Sequence, residues 1–263
     1  MRRAIVAIVA SLLPLTGAVW GAQTPGDLNR ARDLLGSREL KSVVLEFEYV
    51  LGTGKRPAPA SRGKFRGKGK VTYQHPRKYK IEMFREFPGG ISTQVSLDDG
   101  TTYARWWSRG GRTERVKFDA PSLAAARKRL QREVMIYLAG LLLADAPFLT
   151  YEPRSGGYAV TSERGSSIEL LLDHDRVTML RYERLRPAAV AFTADGSPAL
   201  PLEQLQPAEG VVGDFRANGP NRRPHLFQSH YETGWDDVVV TSYVLNPSLP
   251  ATNFQPPPAR RGK

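Results

Sequence analysis

Candidate metal ligands are few in this sequence, and they do not fall at the spacings that metal sites use. The four histidines are His75, His174, His225 and His230, and no His-Glu-x-x-His motif includes them. The run Asp173–Asp175 has an imidazole between two carboxylates and could bind a cation on a loop with further oxygen ligands. Its place between two predicted strands favours an ordinary turn. The sequence therefore predicts no metal centre and no cofactor.

The sequence also lacks the motifs that are typical of covalent catalysis. The chain has no cysteine, which excludes disulfides, thiolate ligands and a cysteine nucleophile together. It has no Gly-x-Ser-x-Gly elbow, P-loop or dinucleotide fingerprint. Gly67-Lys68-Gly69 is a short glycine pattern inside a predicted strand, where close packing explains it. We predict a protein that is not an enzyme. A hydrolase built from scattered residues is the third alternative, and it would need a nucleophile–base pair in the structure.

The N-terminal residues have the organisation of a secretory signal peptide. Arg2 and Arg3 precede an apolar run over residues 4–15, and small residues follow up to Gly21 and Ala22. The apolar run is shorter than the roughly 20 residues that a membrane-spanning helix needs. We predict a signal peptide over residues 1–22, cleaved near Gly21 or Ala22, and a mature protein in the periplasm. An uncleaved N-terminal anchor is the alternative.

The chain is strongly basic, with a formal net charge of +12 over 263 residues. Such a charge is typical of nucleic-acid-binding proteins, but predicted export argues against that partner. Outside the inner membrane the abundant polyanions are lipid head groups, lipopolysaccharide and acidic glycans. An anionic membrane surface is therefore a candidate partner, and the alternative is that the charge only keeps the protein soluble.

Alternation of apolar and polar residues predicts a series of antiparallel strands. Val43 to Leu51 places apolar side chains on one face, and Glu46 and Glu48 on the other. The next predicted strand has small or apolar residues on one face and basic residues on the other. Glu46 and Glu48 could form cross-strand ion pairs with these basic residues. Asp98-Asp99-Gly100 is a strong hairpin turn. The basic residues of the second strand are predicted to dock on an anionic surface: Arg66, Lys68 and Lys70.

Two helices are predicted among these strands. A short amphipathic helix covers residues 27–35 and ends at Gly36. A longer helix begins with Ser122 as N-cap and runs to about Leu143, and its second half is apolar on nearly every side. We predict a loop insertion over residues 194–224 and a Pro-rich C-terminal tail over residues 247–263. Residues 23–246 should form a single domain and remain monomeric.

Several motifs resemble the periplasmic outer-membrane lipoprotein carrier family, LolA and LolB. Gly69 to Pro76, followed by Tyr79-Lys80-Ile81, is similar to the family's strand that ends in a proline before an aromatic-bearing strand. Ser96 to Tyr103 resembles its Ser-Asp-Gly hairpin, and Asn253 to Pro257 its C-terminal Phe-x-Pro-Pro. The resemblance implies a mainly β (α+β) fold, an incomplete antiparallel β-barrel (half-barrel) with a helical lid. Its partner would be a lipid or an acylated protein, as in lipoprotein localisation.

The sequence departs from that family at two places. The carrier has an arginine before the strand-ending proline, where it holds the lid shut, and here that position is His75. A neutral imidazole cannot make the forked contacts of a guanidinium, although Arg77 lies just beyond the proline. His75 and Arg77 are therefore the predicted lid contacts. The insertion at 194–224 is the second departure, and both indicate a remote member of the family.

The resulting hypothesis is a periplasmic binding protein that holds a lipid or acylated ligand in an apolar groove. The alternative is an envelope interaction module with a self-filled core, which would bind a protein or anionic surface through its basic face. The predicted ligand-binding residues come from the sheet and from the longer helix: Leu45, Phe47, Tyr49, Val71, Tyr73, Ile81, Met83, Val95, Leu97, Met135, Leu138 and Leu142.

Overall fold

The first half of the chain forms a meander of six antiparallel strands. The computed structural model describes residues 25–55, 65–87, 90–110, 112–139, 141, 147–173, 176–185 and 205–255. The predictions for residues 1–22 therefore lie outside the described residues. The strands of this N-terminal wing are β1 (Ser42–Thr53), β2 (Phe65–Gln74), β3 (Lys78–Phe87), β4 (Gly90–Asp98), β5 (Tyr103–Arg109) and β6 (Arg112–Arg115).

The second half forms a matching meander of seven strands. The strands of this C-terminal wing are β7 (Leu149–Arg154), β8 (Gly157–Ser162), β9 (Ser167–Asp173), β10 (Arg176–Leu185), β11 (Leu205–Asn218), β12 (Asn221–Tyr231) and β13 (Gly234–Leu245). The two wings join where β1 pairs with β13 along its whole length. The result is one antiparallel sheet with the order β6-β5-β4-β3-β2-β1-β13-β12-β11-β10-β9-β8-β7.

This sheet is open, and it is strongly curved. Its edges are β6 and β7, which are the two strands that flank the second helix in the chain. Strand β4 and strand β9 are eight steps apart in the sheet, which would separate them by about 38 Å if the sheet were flat. Nevertheless Asp98, at the end of β4, lies 3.5 Å from Arg164 in the β8–β9 turn. The sheet therefore curls into a half-barrel, which confirms the predicted fold class.

Two α-helices pack on the inner face of the half-barrel. Helix α1 (Pro25–Leu35) buries Leu28, Ala31 and Leu35, and it ends at Gly36, whose φ of 62° favours glycine. Helix α2 (Ala120–Ala139) connects the two edge strands and lies against β3, β4 and β9. Its start differs from the prediction, because the carboxylate of Asp119 accepts the Ser122 N–H at 2.9 Å. Asp119, not Ser122, therefore caps α2.

The predicted loop insertion at 194–224 is wrong over most of its described part. Residues 205–218 form β11, and β12 already begins at Asn221. The inward positions of β11 include the small residues Ala208 and Gly210, so the apolar alternation that marks a strand is weak there. Residues 194–204 lie outside the described part. Of the C-terminal tail, residues 251–254 form a short 3₁₀ helix that buries Phe254.

Candidate functional site

Two aromatic side chains of β1 cover the inner face of β2 at its glycines. Phe47 lies over Gly69 and Tyr49 over Gly67, because the register pairs these residues directly. A Cβ at either glycine would overlap the opposite ring. The predicted close packing at Gly67 and Gly69 is thus confirmed, and it leaves an aromatic surface on the inner face. Most of the predicted sheet residues are buried in this core cluster: Leu45, Phe47, Tyr49, Val71, Tyr73 and Ile81, with Met83 packed partly buried against them.

Helix α2 covers that surface and also touches the other wing. The ring of Tyr137 stacks on Phe47 with centroids 4.8 Å apart, and it meets the edge of Phe227 from β12 at 6.4 Å. Met135 and Leu138, which were predicted to bind ligand, are buried in the same cluster. Leu142 lies outside the described residues. In this state the protein's own helix therefore occupies the place that the prediction assigns to a ligand.

The assignment of Val95 and Leu97 to this face is wrong. On β4 the residues opposite Ile81 and Tyr79 are Ser96 and Asp98, so these polar residues face inward. Val95 and Leu97 face outward, where Leu97 forms a small separate cluster with Ala104 and Trp106. The alternation along β4 is the predicted one, but its apolar side packs on the outer face of the sheet.

The inner face consequently changes from apolar to polar along the N-terminal wing. Strands β1 to β3 present aromatic and aliphatic side chains, whereas β4 presents Ser92, Gln94, Ser96 and Asp98. On β5 the inward positions begin with Tyr103 and Arg105, which are both 5% exposed, and continue to Trp107, which is 43% exposed. The Nε of Arg105 donates to the Ser96 hydroxyl at 3.0 Å. An amphipathic ligand would match this division.

A buried carboxylate holds the helix and the second wing on the first. Asp98 has no exposed side-chain surface, and its Oδ2 lies 3.5 Å from the guanidinium of Arg127 in α2 and 3.5 Å from that of Arg164. Its Oδ1 accepts the Gly100 N–H at 2.9 Å. Burial raises the pKa of Asp98, although the Gly100 N–H and both guanidiniums oppose this. We call Asp98, Arg127 and Arg164 the clasp.

The predicted lid contacts lie next to the clasp. Arg77 forms an ion pair at 3.1 Å with Glu163, which is in the β8–β9 turn rather than in α2. The backbone N–H of His75 donates to the Lys41 carbonyl at 2.7 Å, and the peptide bond to Pro76 is cis. Arg77 therefore joins the two wings, and α2 is held by Asp98 through Arg127. Sequence reasoning missed Asp98 because a hairpin turn explained it fully.

The predicted basic surface is paired with carboxylates where its side chains are described. Lys68 lies 3.2 Å from Glu48, and Lys70 lies 3.1 Å from Glu46. The side chain of Arg66 lies outside the described residues. The expected cross-strand pairing is confirmed, and this part of the outer face is close to charge-balanced.

Metal-binding side chains do not assemble in the described part of the chain. No group of three or more histidine, aspartate or glutamate side chains there could hold a metal ion. The hydroxyls of Tyr182 and Ser229 lie 2.6 Å apart in a buried hydrogen bond. Nor does any helix of the described residues have the length and apolar character needed to cross a membrane. The candidate site of the described residues is the inner face beneath α2, which is apolar on β1 to β3 and polar on β4.

The sequence matches no protein-family model, and no curated protein matches it. Among solved structures, the chain is similar to a LolA superfamily protein, NE2245, from Nitrosomonas europaea, with 10% identity, a TM-score of 0.49, and coverage of 88% of this chain and 96% of that one. It is also similar to a putative outer membrane lipoprotein-sorting protein domain from Vibrio parahaemolyticus, with 12% identity, a TM-score of 0.44, and coverage of 86% and 95%. A DUF1329 family protein from Desulfovibrio piger has 9% identity, a TM-score of 0.48, and coverage of 88% and 96%.

Proposed function

We propose that this chain is a periplasmic carrier that binds the acyl chains of a lipid or an acylated molecule on the inner face of its half-barrel. The observation that supports this most is the position of α2. One helix covers an apolar surface drawn from both wings, and its ends lead to the two edges of the sheet. Such a helix can move away without breaking a strand pair, and it would then expose the apolar surface to a ligand.

The buried side of α2 is a poor permanent core. Gln131 is fully buried, and both polar atoms of its amide have no hydrogen-bond partner among the described residues. Burying an amide in this way costs about 1–3 kcal/mol. A helix that served only as core would be more stable with an apolar residue there. Gln131 therefore favours α2 as a cover that exchanges with a ligand.

Acyl chains suit the surface that α2 would uncover. Apolar contacts there would not require one particular orientation of the ligand. The rings of Phe47 and Tyr49 lie against the glycines of β2, so this part of the surface consists mainly of aromatic carbon. Burial of apolar area contributes about 25 cal/mol per Å². Binding would be non-covalent, and we propose a binding role rather than a catalytic one. The predicted export through residues 1–22 belongs to the same proposal.

The first test is to find and to exchange the ligand. The mature protein, purified from its native envelope fraction without detergent, should release a lipid or acylated molecule into organic solvent for mass spectrometry. It should also take up a fluorescent diacylglycerol, which has acyl chains and no charge. An empty extract together with no uptake would overturn the proposal. That result would favour the interaction module with a self-filled core.

The second test fixes the two wings together. Because the chain has no cysteine, Arg77→Cys and Glu163→Cys can be joined specifically by a cleavable bismaleimide across the ion pair. If the wings must separate, the cross-linked protein should take up diacylglycerol much more slowly. Cleaving the cross-linker in the same sample is the matched control, and it should restore uptake. Equal rates before and after cleavage would show that the ligand enters without separation of the two wings.

A further inference from the structure

We propose that Arg105 of β5 binds a phosphate-type oxyanion next to the acyl-binding surface. The inference rests on the proposed function, and it specifies the ligand as a lipid with a phosphate at its head. The site lies on the inner face of β5, which α2 covers in the closed state. Its residues were not among those predicted from the sequence.

Arg105 is buried in an environment that satisfies its guanidinium only in part. The side chain is 5% exposed, and its Nε donates to the Ser96 hydroxyl. Its Nη2 is buried and has no hydrogen-bond partner within the described residues. A buried guanidinium with an unused donor is costly in free energy unless an anion reaches it. An oxyanion would supply the missing acceptors.

Two more arginines approach the same place from α2. Arg132 is 5% exposed, and Arg129 pairs with Glu133 at 2.9 Å. Burial alone would raise the pKa of Glu133, but Arg129, Arg105 and Arg132 together lower it below its usual range. These four side chains carry three positive charges and one negative charge. The positive potential of these arginines outweighs burial at Glu133, and such a potential favours an anion beside Arg105.

The position of this cluster fits the head of a lipid. Arg105 lies opposite Ser96, and Ser96 lies opposite Ile81 on the next strand. This row across the sheet therefore changes from apolar at Ile81 to polar at Ser96 and Arg105. Two residues further along β5, Trp107 is 43% exposed, so the inner side of β5 leads from the buried interior to the exposed end of the strand. Acyl chains on β1 to β3 would place an attached phosphate at this boundary. Phosphate recognition by forked guanidiniums is the geometry for which arginine is best suited.

The test compares two lipids with the same acyl chains. Phosphatidylglycerol has the phosphate, and diacylglycerol lacks it. The wild-type protein should bind phosphatidylglycerol about tenfold more tightly, as charge-assisted hydrogen bonds imply. Arg105→Gln, which can still donate to Ser96, should reduce this ratio towards one without weakening diacylglycerol binding. Arg112→Gln removes an exposed charge from β6 and is the matched control, with an unchanged ratio.

Each outcome of this comparison decides one statement. Equal binding of the two lipids by the wild type overturns the phosphate site and leaves the acyl-binding proposal intact. Loss of all lipid binding in the wild type overturns both. Inorganic phosphate is the third probe: if it stabilises the wild type against heat, fails to stabilise Arg105→Gln, and neither lipid binds, the site accepts free phosphate and the lipid source is wrong. Should Arg105→Gln not fold, Arg105→Lys, which keeps the charge but lacks the forked donors, provides the same comparison.

Discussion

Asp98 is the residue on which the closed arrangement of α2 depends most directly. Its carboxylate faces one guanidinium from α2 and one from the β8–β9 turn. Burial outweighs these attractions and raises the pKa of Asp98, so ionising this carboxyl is less favourable in the folded protein than in the unfolded chain. The ionised clasp therefore joins two parts of the molecule and destabilises the fold at the same time. This combination suits a contact that has to open.

Replacing Asp98 with asparagine should test this balance. Because the folded pKa is raised, the stability linked to Asp98 is present below the unfolded pKa and is lost as the pH rises through the folded pKa. Asp98→Asn keeps an acceptor for the Gly100 N–H and stays neutral. We expect its thermal unfolding temperature to match or exceed that of the wild type at neutral pH, with the advantage shrinking towards acid pH. Unfolding curves across that range measure the effect.

The neighbouring Asp99 is a matched control, because its pKa is shifted in the opposite direction. Hydrogen bonds from Thr102 and Thr101 lower its pKa despite some burial. Its stabilising effect is present above the unfolded pKa and is lost as the pH falls. Asp99→Asn should therefore destabilise the protein at neutral pH and lose this effect in acid. If both variants change with pH in the same direction, the account of Asp98 is wrong.

Gly69 should not tolerate a side chain, because Phe47 occupies the space where its Cβ would lie. Gly69→Ala would push the Phe47 ring towards Tyr137 of α2, and overpacking of this kind costs about 1–3 kcal/mol. Chemical denaturation should show this loss. Gly213→Ala on β11 is the control, since no described atom lies within 4 Å of the position that its methyl group would take. A similar loss for both variants would contradict the close packing at Gly69.

At the scale of elements, α2 has two competing roles. It buries Leu130, Val134, Met135 and Leu138 as a core helix does. It also buries Gln131 and Arg132, which a core helix would avoid. These buried polar residues make the closed state less stable, and the helix can therefore leave it more easily. Its connection to both edges of the sheet gives it room to do so.

Gln131→Leu should separate these two roles. Removing a buried amide that has no partner among the described residues should raise the free energy of unfolding by about 1–3 kcal/mol. Because the closed state becomes more populated, the apparent affinity for diacylglycerol should fall by the same free energy. Met135→Leu keeps the same helix face apolar and should change neither quantity much. A variant that is more stable and binds lipid as well as the wild type would contradict a displaced α2.

At the scale of the whole molecule, the net charge of +12 is distributed so that part of the outer face is neutralised. Glu46 and Glu48 pair with Lys70 and Lys68 across β1 and β2. Exposed ion pairs of this kind contribute little to stability. Their larger effect is to lower the positive potential that an anionic membrane would meet. The predicted docking surface is thus weaker than its lysines alone suggest.

Removing the two acids should reveal this effect. Glu46→Gln/Glu48→Gln should bind anionic vesicles more tightly than the wild type at low ionic strength, because Lys68 and Lys70 lose these carboxylates. The gain should disappear as salt screens the charges. Vesicle co-sedimentation measures both. Glu152→Gln/Glu169→Gln, with the same change of charge on the C-terminal wing, is the comparison variant, and an equal gain there would show that only net charge matters.

Much of this architecture follows from local patterns that the sequence shows plainly. Alternation placed Val43 to Leu51 in a strand, Gly36 ended α1, and Asp98-Asp99-Gly100 formed its turn. These features depend on neighbours within a few residues, so they can be read from the chain alone. Strand β11 was not predicted, because its inward residues Ala208 and Gly210 are small and do not produce a clear alternation of apolar and polar side chains.

The tertiary structure decided which faces meet. Alternation shows that Val95 and Leu97 share a side of β4, but only the curvature of the whole sheet determines that this side is the outer one. The same curvature brings Asp98 to Arg164, and it places Arg105 under α2, although no local pattern links these positions. Local sequence thus determines which residues share a face, because the strand period is local. What covers that face depends on contacts between segments far apart in the chain.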